Sequence, residues 1–229
     1  MLRRLIKASA IVIGAGLVAG CAVTPVKMGS AAIVGSQRIS IATLGTQAGN
    51  LNQVAKQYPG IVNLTPTEAT QATLTWLIRY QVNEELARQA GISVSAAQAL
   101  TALQAAYAAA KASAEQQGLT NVTLNLILAA SGVPPDTATE LGRYEAISTE
   151  YLKIANGGTT PTSSSAQTAA GAKLNQAMCQ AAKALNIQVN PQFGQLDYSQ
   201  LQVVSVPSPV TRPAGPTTSA SPVATAPAC

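Results

Sequence analysis

The residues able to do chemistry in this 229-residue chain are defined first by an absence, for it contains no histidine. That excludes imidazole general catalysis, Ser/His and Cys/His nucleophile systems, and imidazole metal ligation. The cysteines stand at positions 21, 179 and 229, too few and too scattered for a thiolate metal site. Nine carboxylates are available. Glu84 and Glu85 are adjacent, and Glu145 and Glu150 lie five apart, so neither pair shares a helix face. Glu84 with Arg88, and Glu140 with Arg143, have the spacing of solvated helix ion pairs. Asp197 is expected to turn the backbone instead of doing chemistry. The sequence therefore predicts no catalytic residue, no metal ligand and no cofactor.

Charge narrows the partners. Arg3, Arg4 and Lys7 account for three of the fourteen basic residues, so the rest of the chain carries eleven against nine acids, a net +2. A nucleic-acid footprint needs clustered Lys and Arg, and none occurs; nucleic acid is not an expected partner.

The cysteine at 21 has a distinctive setting. A basic start (residues 1–7), an apolar stretch (8–17) and small residues before Cys21 form the layout of a secretory signal peptide over 1–20. The apolar run is too short to span a bilayer, which takes ~20 residues. Val18-Ala19-Gly20-Cys21 resembles the lipobox of bacterial lipoproteins. That resemblance implies cleavage between Gly20 and Cys21 and acylation of Cys21, giving a protein lipid-anchored on the extracytoplasmic face of a cell membrane. A single acyl chain holds a protein only marginally, whereas two or three on one residue make a stable anchor. Export opens a disulfide between Cys179 and Cys229. The alternative is that Cys179 packs as a small hydrophobe in a helix.

The remaining chain must be built from aliphatic side chains, since aromatics are only 3% of a sequence that is 47% hydrophobic. Residues 21–30 read as a lipidated tether. Ala31-Ala32-Ile33-Val34, a Gly35-Ser36 turn and Ile39-Ser40-Ile41 predict a hairpin, and a helix is expected over 41–58. Thr65, Pro66 and Glu68 predict a capped helix start, followed by Leu74, Leu77, Ile78, Val82 and Leu86 along one face and a left-handed Gly91 cap. Ser95 and Gln98 predict a second capping box and a helix to about 118. Further helices are expected over 122–130 and from about 135 through Leu141, Tyr144, Ile147, Tyr151 and Ile154. Residues 156–171 read as a flexible loop and 173–185 as a last helix. Ile187-Gln188-Val189 and Leu201-Gln202-Val203 alternate as short strands. A tail over 205–229, rich in Pro, Ser, Thr and Ala, is expected to be disordered. The fold class is α+β, mainly α: a helical domain with a small sheet formed by the N-terminal hairpin and the C-terminal β segments.

Three stretches resemble the N-terminal domain of SurA-like extracytoplasmic chaperones. They are Ile33-Val34-Gly35-Ser36-Gln37-Arg38-Ile39-Ser40, the run from Leu77-Ile78-Arg79-Tyr80 to Gly91-Ile92-Ser93-Val94-Ser95, and Val189-Asn190-Pro191-Gln192-Phe193-Gly194-Gln195-Leu196-Asp197. The order of elements is also similar, across residues 31–204. The resemblance implies a split domain whose two chain ends pair, and a role in binding exported polypeptides. Relatives carry a prolyl-isomerase domain where this chain has only residues 156–171, far short of a domain. Isomerase activity is therefore not implied.

The expected function is chaperone-like binding of unfolded exported polypeptides, with Trp76, Tyr80, Tyr107, Tyr144 and Tyr151 as candidate client-binding residues. Each of the five has core packing at helical spacing as its plainer alternative. The competing function is a structural or interaction lipoprotein docking to an envelope protein or the cell wall, with the tail as a spacer.

Overall fold

A computed structural model describes residues 28–206. The signal peptide, Gly20, Cys21, Cys229 and nearly all of the expected tail lie outside the described residues.

The order of elements is β1 (Ser30–Val34), β2 (Gln37–Ser40), α1 (Ile41–Gln57), α2 (Pro66–Ala90), α3 (Ala96–Gln116), α4 (Leu124–Ala130), a 3-10 turn (Pro135–Thr137), α5 (Ala138–Ala155), α6 (Ser164–Ala184), β3 (Gln188–Val189), β4 (Gln195–Asp197) and β5 (Gln202–Val204). The fold is α+β and mainly α, as the periodicities predict.

Local chemistry accounts for the helix boundaries. Thr65 Oγ1 accepts from the Glu68 amide at 3.2 Å while the Glu68 carboxylate accepts from the Thr65 amide at 2.8 Å, which closes the capping box at the start of α2. Ser95 and Gln98 repeat the arrangement for α3. Gly91 ends α2 at φ 65°, ψ 24°, and the Ile92 amide donates back to the Ala87 carbonyl.

Helix α2 is the centre of the molecule. The sequence predicts one buried face; the structure buries the helix nearly all round. Leu74, Ile78, Val82 and Leu86 meet β1, α6 and β5, while Ala69 packs toward α1 and α4. Ala87 faces α3 and α5, and Trp76 packs with Leu128 and Val133. A helix enclosed by others has no polar stripe to show. Some of its buried polar atoms are tied off, while Thr73 Oγ1 and Asn83 Oδ1 have no hydrogen-bond partner among the described residues. The Asn83 amide nitrogen donates to Ser148 Oγ at 3.2 Å, and Thr75 Oγ1 accepts from the Val203 amide at 2.9 Å.

The two chain ends come together, but in two sheets, not one. β1 pairs antiparallel with β2 and, on its other side, with β3, giving the order β2-β1-β3. The Asn190 amide donates to the Ala31 carbonyl, and Gly35 N–H to the Leu185 carbonyl. The stretch around 201–203 instead forms β5, whose only strand partner among the described residues is β4. Leu201 has φ 47°, so it ends a turn and cannot extend the strand as expected. β5 is carried on α2 by Thr75 and by Arg79, which donates to the Leu201 and Gln200 carbonyls at 3.0 and 2.8 Å.

Other expectations are corrected. Ser30, assigned to the tether, is fully buried in β1. The loop expected over 156–171 ends at Ser163, whose side chain caps α6 by accepting from the Ala166 amide; the Ser/Thr/Ala run beyond it is helical. The surface pairs are redistributed as well. Arg88 pairs with Glu85, and Arg143 reaches from α5 to Glu84 on α2 with Nη1 on the Val94 carbonyl. The helix-helix pair wins because it clamps two elements already packed together.

Candidate functional site

A cavity of about 480 Å³ opens between α2, α3, α4 and α5. Helical spacing explains who lines it. Ala72, Thr75, Trp76 and Arg79 recur at three- and four-residue steps along α2, Leu103, Ala106, Tyr107 and Ala110 along α3, and Leu141, Tyr144 and Glu145 along α5. The space exists because several of these positions carry only a methyl group or none, as at Ala72, Ala106, Ala110 and Gly132. The aromatic and charged residues among them then become the wall.

Of the five candidate client-binding residues, Trp76, Tyr107 and Tyr144 line this cavity. The Trp76 and Tyr144 rings lie 5.5 Å apart at 55°, an angled aromatic pair. Tyr107 is fixed by donating its hydroxyl to the Val122 carbonyl at 3.1 Å. Tyr80 is not a lining residue; it stands behind Trp76 with ring centroids 6.3 Å apart. Tyr151 packs against the main core with α6, which is the plainer of its two readings. Trp76 is itself only 7% exposed, with much of its surface packed on neighbours such as Leu128 and Val133.

The cavity also holds groups that the sequence did not single out. Glu145 is half-buried in the wall, and desolvation raises its carboxyl pKa above the ordinary value. It makes no hydrogen bond or ion pair among the described residues. Burial likewise raises the Tyr144 phenol, with Arg79 opposing and Glu145 adding to the shift. The sequence does carry a signal for Glu145: it lies four residues after Leu141 and next to Tyr144, on the apolar face of its helix.

A second, shallower groove runs between the start of α2 and the 191–194 turn, lined by Pro66, Gln71, Phe193 and Val206 among others. Asp197 behaves as expected. Its carboxylate accepts from the Ser199 amide and hydroxyl at 2.8 and 2.7 Å, bonds that hold its pKa down.

Among the described residues no group of three or more His, Cys, Asp or Glu could hold a metal, and no helix is long and apolar enough to cross a membrane. Cys179 sits half-buried on α6 and its sulfur is in a disulfide, whereas the lipidation site Cys21 and the expected partner Cys229 lie outside the described residues. Comparison with known proteins finds no matching family model, no similar curated protein and no similar solved structure.

Proposed function

We propose that this chain is an extracytoplasmic lipoprotein that holds segments of exported polypeptides without catalysing a reaction on them. The observation that carries the reading is the cavity between α2 and α5. It is open, aromatic-walled and within the ~300–1,000 Å³ range of sites that enclose a side chain or small ligand. The pairing of β1 with β3 supports it further, because a split domain closed by its own chain ends is what the SurA-like resemblance implies. In this reading the acyl groups on Cys21 hold the domain at the membrane surface where exported chains emerge. With its thiol so modified, Cys21 leaves Cys229 as the disulfide partner of Cys179 within the chain.

The experiment is suppression of aggregation of a reduced, unfolded test protein. At equimolar to tenfold excess the protein should slow aggregation; unchanged aggregation overturns the reading. Recovery of one stoichiometric envelope partner, with no unfolded clients, would favour the docking lipoprotein instead. The anchor is tested apart from this by mass spectrometry of the mature N-terminus. A Cys21→Ala protein that still fractionates with membranes refutes it.

A further inference from the structure

The cavity wall holds a carboxylate with no partner among the described residues. Glu145 is half out of water, beside the Trp76–Tyr144 pair, and among the described residues it has neither a donor nor a counter-charge. None of the other charges near it is paired with it. Arg79, the cation lining the same cavity, gives Nε and Nη2 to the Leu201 and Gln200 carbonyls. Arg143 is taken by Glu84, Lys111 on α3 lies 3.7 Å from Glu115, and α4 carries no charge. The Tyr107 hydroxyl is spent on the Val122 carbonyl.

This arrangement selects by chemistry. An anion beside Glu145 meets repulsion, Arg79 being held on the Leu201 and Gln200 carbonyls, and a neutral apolar group would complete the desolvation of Glu145 without satisfying it. A divalent metal wants several oxygens, and the wall offers one carboxylate. An organic cation with an apolar stem meets both needs. Its charge pairs with a carboxylate in a low-dielectric site, and its apolar stem packs against the Trp76 and Tyr144 side chains in the wall.

We propose that the cavity takes the Lys or Arg side chain of a bound polypeptide segment, stem against Trp76 and Tyr144 and charge on Glu145. This rests on the polypeptide-binding reading and names what that site selects.

The test uses the full chain in lipid nanodiscs and fluorescence anisotropy at pH 7.5. The probes are a labelled nonapeptide of Ala, Val and Leu with one central Lys, and the same peptide with norleucine at the centre. The Lys peptide should bind about tenfold tighter. Glu145→Gln, which keeps the shape, should remove that difference by weakening the Lys peptide and tightening the norleucine peptide, while Glu150→Gln on the same helix should keep it. Equal binding of both peptides, indifferent to Glu145→Gln, overturns the inference and leaves polypeptide binding standing. Binding of neither peptide overturns both. If n-butylammonium at equal concentration displaces the Lys peptide fully, the site is one for free amines and the inference also fails.

Discussion

The crossing of α3 and α5 allows a sharp test of how this fold is held. Gly142 is buried on α5, and a Cβ built there would strike the Ala99 carbonyl oxygen, with the Leu103 Cβ at 3.0 Å and the Ala99 carbonyl carbon at 3.1 Å. Two of the three obstacles are backbone, which cannot rotate away. In an open helix interior, Gly→Ala gains ~0.5–1 kcal/mol from lost unfolded-state freedom. Here the steric term should win, because overpacking a tight contact typically costs ~1–3 kcal/mol. Net of that gain, and at ~2–4 °C per kcal/mol for a chain of this size, Gly142→Ala should lower Tm by up to roughly 10 °C. Gly171 on α6 is the matched control, since nothing lies within 4 Å of its Cβ position. Gly171→Ala should raise Tm by roughly 1–4 °C. Thermal unfolding followed by far-UV circular dichroism reads both. If Gly142→Ala melts at or above the unsubstituted protein, the close approach of α3 and α5 is not what positions α5, and the account of the cavity wall fails with it.

Other outcomes follow from single contacts. Thr75→Val removes the hydroxyl that accepts the buried Val203 amide and should cost ~1–3 kcal/mol in urea unfolding, with faster hydrogen exchange at Val203. Leu74→Ala, at a fully buried position of α2, should cost ~2–5 kcal/mol. Glu145 has its pKa raised in the folded state, so its charged form costs stability above the folded pKa, and that cost vanishes as pH falls below the unfolded value near 4.5. Glu145→Gln should therefore be more stable than the parent at pH 7 and lose that advantage toward pH 4; an advantage that grows on acidification refutes the assignment. Non-reducing peptide mapping should recover residues 179 and 229 in one linked fragment, and linkage of Cys179 to Cys21 would overturn the lipid anchor.

Much of this architecture could be read from the residues alone. Caps are local: Thr65 with Glu68, Ser95 with Gln98 and Gly91 each act within one helical turn, so their roles follow from spacing. The hairpin and the turn at Asp197 are equally local. What sequence could not settle is every choice made between distant segments. Whether β5 joins β1 or rests on α2 depends on Thr75 and Arg79, 121 to 128 residues from their partners. Glu84 takes Arg143 instead of Arg88 because packing sets α5 beside α2, a fact that i, i+4 spacing does not contain. The Ser/Thr/Ala run after 163 looks like a loop in composition, yet it is held as a helix because Met178, Ala181 and Ala182 are buried in the main core. The cavity itself belongs to the tertiary structure. Alanines on α2 and α3 mark only small side chains, and they become empty space, with Glu145 stranded in its wall, once four helices meet around them.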